Sequence, residues 1–186
     1  MARDDETLEE TVIGGPTVHD DTILLVDHDP AWAPMYAREA ERIRASLGPA
    51  ALRVEHAGST AVPGLAAKPI IDIVLAVADS ADEAAYVPPM EAAGYVLRIR
   101  EPDWYEHRLF KGPDTDVNVH VFTVGCVEID RMLGFRDHLR MDVADRELYE
   151  RTKRELAARR WKYVQHYADA KSDVVAEIMA RVETDS

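Results

Sequence analysis

A single cysteine, Cys126, excludes an internal disulfide and fits a reducing compartment. No apolar run approaches the roughly 20 residues needed to span a bilayer. The opening residues Met1-Ala2-Arg3-Asp4-Asp5-Glu6 are acidic where a secretion signal is basic and then apolar. A cytoplasmic protein with no membrane partner is therefore expected. Basic charge is also scarce: 22 Lys+Arg face 35 Asp+Glu, giving a formal net charge of −13 and a pI near 4.9. Most of such a surface repels a phosphate backbone, so DNA and RNA are not expected as partners, although a local basic pocket remains compatible with the composition. Lysine is the rarer base, with only Lys68, Lys111, Lys153, Lys162 and Lys171 against 17 Arg. That bias fits a GC-rich genome or adaptation to salt and by itself says nothing of function.

The 186 residues, 47% of them hydrophobic and 31% charged, suit one globular domain with a sizeable core. Seven acids and Arg3 place −6 of the charge in the first 21 residues. With Gly14-Gly15-Pro16 among them, residues 1–20 are expected to form an acidic flexible leader. Residues 21–128 then read as an α/β core, and 129–186 as helices packed on it in the same domain.

Thr22 to Val26 is a short apolar run of β type. A helix begins near Pro30 or Pro34, carries Tyr36, Ala40, Ile43 and Leu47 on one face, and stops at Gly48-Pro49. Leu52 to His56 is a strand. Pro69 to Val77 is apolar except for Asp72, as in a strand covered on both faces. A helix interrupted at Pro88-Pro89 is expected over 79–94, followed by strands at 95–100, 105–111 and 116–124. From Ile129 the apolar period becomes helical, with Asp142 capping a second helix and Val164 to Val182 forming a third. Mixed strands followed by helices make an α+β fold.

The chemistry concentrates in His56-Ala57-Gly58-Ser59-Thr60 and the strand holding Asp72. A glycine turn lets a ligand approach the backbone, Ser59 and Thr60 can donate to phosphate oxygens, and Lys68 can neutralise them. The bland reading is that Ser59 caps a short helix and Asp72 pairs with an arginine. A second acid two residues after Asp72 would share its strand face and suit a divalent metal, but that position is Val74. In Asp116 to Phe122, alternation puts Asn118, His120 and Phe122 on one face, so His120 is either a ligand or proton carrier or a core histidine with a hydrogen-bond partner. Arg108 can reach a phosphate from its own strand, whose His107 reads as solvated. Arg136 and Arg140, four apart on a helix, can clamp an anion or pair with Asp137.

The segments HAGSTAVPGLAAKPIID at 56–72, VNVHVF at 117–122, FRDHLR at 135–140 and YERTKRELA at 149–157 resemble the GrpB family, with similarity from about Ile23 to Val182. The resemblance implies a nucleotidyltransferase-like fold: a mixed β-sheet flanked by helices with a C-terminal helical segment, the fold shared by minimal nucleotidyltransferases and DNA polymerase beta. Some members are fused to dephospho-CoA kinase. The superfamily pattern is Gly-Ser on a turn, an Asp-x-Asp strand and a third acid on a neighbouring strand. Gly58-Ser59 and Asp72 match it, Val74 replaces the second acid, and His120 stands where a third is expected.

One implied function is transfer of a nucleotidyl group to a small acceptor. Asp72 and His120 would be catalytic, and Gly58, Ser59, Thr60, Lys68, Arg108 and Arg136 would hold the nucleotide phosphates. Asp72, His120 and His56 would bind Mg²⁺ or Mn²⁺, or a transition metal if His120 is a ligand. The alternative is a non-catalytic nucleotide- or CoA-binding module that kept the phosphate pocket without the second acid. A transition-metal hydrolase using His120, His56 and Asp72 is a third reading. In each case the partner is a small molecule, bearing phosphate in the first two.

Overall fold

The computed structural model describes residues 4–184. Five strands form one mixed sheet: β1 (Arg53–Ala57), β2 (Ile71–Val77), β3 (Val96–Glu101), β4 (His107–Lys111) and β5 (Val117–Thr123), in the spatial order β1-β2-β5-β4-β3. Only β2 and β5 run parallel, and they lie inside the sheet, where β2 is apolar except for Asp72 and β5 is apolar at every second residue. Ile71, Ile73 and Leu75 with Val117, Val119 and Val121 turn to one face, where α2 (Trp32–Leu47) and α3 (Val87–Ala92) cover them. The opposite face is covered near Val74, Ala76 and Phe122 by α4 (Val127–Met141) through Ile129 and Leu133. Beyond α4, α5 (Val143–Ala157), α6 (Val164–Ala170) and α7 (Ser172–Thr184) fold back over the 62–65 loop. Asp142 caps α5 by accepting from the Asp145 amide at 2.8 Å, as its spacing predicts.

Three local expectations are corrected. The acidic leader is not a loose tail over its described part. Asp4 caps α1 (Asp5–Thr11), Leu8 on it is fully buried, and Val12 bridges Ile99 at the sheet edge. Two apolar residues at helical spacing suffice to dock a segment whose composition is otherwise polar. Thr22 to Val26 makes no strand: isolated bridges at Asp21 and Val26 hold it extended while Ile23 packs beside Leu156 and Tyr167. Over 79–94 there is a short turn at 83–85 and then α3, with Pro88-Pro89 in its first turn. Proline fits there because those amides have no helical partner to lose. Among the described residues, no helix is long and apolar enough to cross a membrane.

Candidate functional site

The pleat of the two central strands puts Asp72 beside Asn118, and Val74 beside His120, on the α4 face of the sheet. Asn118 donates Nδ2–H to Asp72 Oδ1 at 3.0 Å, and His120 Nε2 lies 3.5 Å from the same oxygen. Burial pushes the Asp72 carboxyl up, but His120, Asn118 and the charge of Lys68 outweigh it, and the group is held below the usual carboxylate range. Beside His120 a polar chain continues along the same face of the sheet toward its β3 edge. His120 Nδ1 and His107 Nε2 are 3.1 Å apart, and His107 Nδ1 is 2.7 Å from Glu101 Oε2. These contacts join Asp72 to Glu101 through two imidazole rings. His107, expected on a solvated edge, is 3% exposed and stacks between His120 and Phe122.

At the end of β1 the chain turns through Gly58, which has φ +67°, and a side chain there is excluded twice over. Its backbone conformation belongs to glycine, and an added Cβ would lie 2.5 Å from Asp72 Oδ2. The Gly58-Ser59 turn and the Asp72 carboxylate are thus in van der Waals contact, although thirteen residues separate Ser59 from Asp72 in the chain. Helices hold this turn from behind. Arg140 donates to the Ala61 carbonyl at 3.0 Å and Arg136 to the His56 carbonyl at 2.7 Å. From α5, Lys153 donates to the Ala66 carbonyl and lies 3.0 Å from Ser59 Oγ, while Glu150 accepts from the Ala66 amide at 3.0 Å.

Between this turn and the C-terminal helices is a cavity of about 220 Å³. Gly58, Ser59 and Asp72 form one wall, and Tyr149, Glu128 and Lys171 contribute to the other. The electrostatics around it are cationic despite the acidic chain. Asp72 is the acid whose charge reaches Lys68, Lys111 and Lys171 alike. Lys68 and Lys171 stand over the Tyr167 ring at 5.6 and 4.7 Å. Burial, reinforced by Lys171, pushes Lys68 down to about 8, and burial likewise lowers Lys111 and Lys171. Counting Lys153, four of the five lysines gather here. Nothing in the spacing of Lys111, Lys153 and Lys171 along the chain marked them as neighbours of this turn. Glu128 and Tyr149 carried no mark either.

The structure brings together Gly58, Ser59, Lys68, Asp72 and His120. His56, Thr60 and Arg108 are turned elsewhere, and Arg136 reaches the cavity already engaged. His56 pairs with Ile73 in register and so faces α2, where it stacks on Tyr36 at 4.6 Å and its Nε2 contacts Thr60 Oγ1 at 2.9 Å. Thr60 is consequently buried and occupied. Burial, aided by Arg140 and Arg136, pushes the His56 imidazole down to about 4, so it is neutral at pH 7. Arg108 also faces away from Asp72 and pairs with Glu83 at 2.6 Å and Glu106 at 3.1 Å. Arg136 lines the cavity but is engaged by Asp137, Glu55 and the His56 carbonyl, making it a strap between α4 and β1.

The donor set does not fit the two-magnesium centre of the superfamily. Strand β2 offers one carboxylate, with Asn118 already donating to it and an apolar Val74 in the second place; Glu128, across the cavity, accepts from Arg131 at 3.4 Å, and the lysines oppose a divalent cation. Among the described residues, the cluster whose ligand atoms all fall within 4.8 Å is His138, Asp142 and Asp145, away from this cavity. Those three have structural work: Asp142 caps α5 and Asp145 takes His138 and Arg181.

Comparison with known proteins agrees with this architecture. The GrpB protein family model matches residues 22–181. A UPF0157 protein of Halalkalibacterium halodurans is 61% identical over 96% of this chain and 92% of its own, and one of Streptomyces coelicolor is 50% identical over the same shares. A dephospho-CoA kinase of Mycolicibacterium paratuberculosis matches at 43% over 39% of this chain, which is 19% of the kinase. The crystal structure of conserved protein GrpB from Enterococcus faecalis superposes with a TM-score of 0.77 at 28% identity, covering 87% of this chain and 98% of that one. A matched family model over nearly the whole length, close relatives and a shared fold place this chain in the GrpB family.

Proposed function

We propose that the chain binds a small phosphate-bearing molecule, a nucleotide or CoA-like ligand, in the cavity beside Gly58 and Asp72, without a metal. The observation that carries this reading is the Gly58-Ser59 turn set against Asp72 in a cavity that Lys171 also lines, with Lys68 and Lys111 in the field of the same carboxylate, in a protein of net charge −13. Burial lowers all three lysines even with Asp72, Asp116 and Asp169 acting on them, so their charges are only partly offset. A phosphate chain supplies the remainder. The cavity is smaller than the roughly 300–1,000 Å³ of typical small-molecule sites, so it suits the phosphate end of a ligand, with the rest at its mouth. Partial similarity to dephospho-CoA kinases makes a CoA-like ligand a natural member of the test panel.

The rival is nucleotidyl transfer to a small acceptor with a divalent metal at Asp72 and His120, and it draws on the Gly58–Asp72 contact. Thermal unfolding against nucleotides, CoA and dephospho-CoA, each with EDTA, Mg²⁺ or Mn²⁺, separates the two. A ligand at about 100 times its dissociation constant adds roughly 2.7 kcal/mol to native stability. A shift that persists in EDTA and disappears in the double variant Lys68→Met, Lys171→Met is expected. A shift that requires metal and is lost in Asp72→Ala would favour the rival instead.

A further inference from the structure

Ser59 occupies an unusual position for a serine whose only task is to hold a phosphate. It lines the cavity, and behind it stands Lys153, 2% exposed, with Nζ 3.0 Å from Ser59 Oγ. Lys153 has its other polar contact with the Ala66 carbonyl and lies 4.9 Å from the centre of the Tyr149 ring. The acid one helical turn before it, Glu150, is turned to Arg154 and the Ala66 amide. A neutral lysine amine has two N–H groups and one lone pair. Donating to Ala66 leaves the lone pair available to accept the Ser59 hydroxyl proton, whereas an ammonium can only donate.

We propose that Ser59 and Lys153 form a serine–lysine dyad in which Ser59 Oγ attacks phosphorus in a phosphoanhydride ligand held in the cavity. The proposal rests on the phosphate-pocket reading for its substrate class. In the step, the Oγ–H proton passes to the Lys153 lone pair as the Oγ–P bond forms. The P–O bond to the departing phosphate then breaks with its electron pair. That phosphate departs opposite Oγ as its anion, Lys153 releases its proton to solvent and returns to neutral, and Ser59 carries the phosphoryl or nucleotidyl group. Lys68 and Lys171 stand near enough to Lys153 to influence its charge, as do Arg154 and Glu150. Burial, with the cations Lys171, Arg154 and Lys68 outweighing Glu150, pushes Lys153 down to about 7, where a base is useful at neutral pH. Tyr149 completes the surround, and its contact with Ser59 partly counters the upward push of burial on its phenol.

The test is covalent labelling with a small alkyl fluorophosphonate, which forms the same Oγ–P bond with release of fluoride and needs no knowledge of the natural ligand. Intact mass and peptide mapping are expected to show one adduct, on Ser59, absent from Ser59→Ala. Its rate is expected to rise with pH through a midpoint near 7 and then level. Lys153→Arg keeps the cation and the donor but cannot shed its proton, and should slow labelling about a hundredfold or more. No Ser59 adduct in the folded wild type, or a folded Lys153→Arg that labels at the wild-type rate, would overturn the dyad. If Lys153→Arg fails to fold, the wild-type pH profile decides, since a flat profile contradicts a titrating base. Labelling without a thermal shift from any phosphate ligand would overturn the pocket reading alone, and a shift without labelling the dyad alone.

Discussion

The same two strands, β2 and β5, build both the most apolar layer of this protein and its most polar cluster. On the α2 face, Ile71, Ile73 and Leu75 interleave with Val117, Val119 and Val121, all fully buried. On the other face, one residue out of step, stand Asp72, Asn118 and His120. Adhesion on the first face makes polarity on the second tolerable. A parallel pair anchored by six buried side chains can hold a carboxylate and an imidazole at fixed distances that isolated loops would not keep.

The comparison breaks most severely when the apolar face is cut. Ile73→Ala removes a fully buried side chain beneath α2 and should cost roughly 2–5 kcal/mol, read as a fall in melting temperature of about 5–15 °C. Next is the titratable residue on the wrong side. His56 is neutral when folded, with its value lowered to about 4 from 6.5, so below pH 6.5 the unfolded chain binds a proton that the folded chain refuses. Stability is therefore lost as pH falls from 6.5 toward 4, by about 3 kcal/mol once the pH is below both values. His56→Gln should flatten this part of the curve in denaturant titrations across that range. If it does not, the imidazole is not the group responsible.

Gly58→Ala probes the polar side. The strained backbone and the collision with Asp72 Oδ2 predict a loss of about 1–3 kcal/mol. Any phosphate-ligand thermal shift should vanish with it, because Asp72 must move. Lys68→Met is the gentlest and most selective of the set. Burial already disfavours the Lys68 charge, so melting should be unchanged or slightly higher, while affinity for a phosphate ligand falls about tenfold, from one lost charged contact of about 1.5 kcal/mol. Calorimetric titration at two salt concentrations would show whether the lost contact is ionic.

Much of this was legible before any coordinates. The apolar run containing Asp72 announced a central strand, and strict alternation over 116–122 put Asn118 with His120 on one side of β5. The Gly58-Ser59 turn could be read as a ligand-approach site because glycine there has few other uses. His56 was misleading, since strand β1 carries it to the α2 face by pairing with Ile73. Arg108 and Arg136 look like anion ligands in one dimension. In three, Glu83 and Glu55 arrive from 25 and 81 residues away and occupy them.

Local order was thus set by short-range causes that a chain carries in its own pattern: strand alternation, helical period, the Asp142 cap and the glycine turn. The cation cluster and the Ser59–Lys153 contact belong to the fold alone. Lys68, Lys111, Lys153 and Lys171 lie on a loop, a strand, a helix and an interhelical turn, and no periodicity relates them. They meet because α5, α6 and α7 close over the sheet to bury Tyr149, Tyr167 and Ile178, and that burial brings Lys153 and Lys171 toward Lys68 and the strands that carry Asp72 and Lys111.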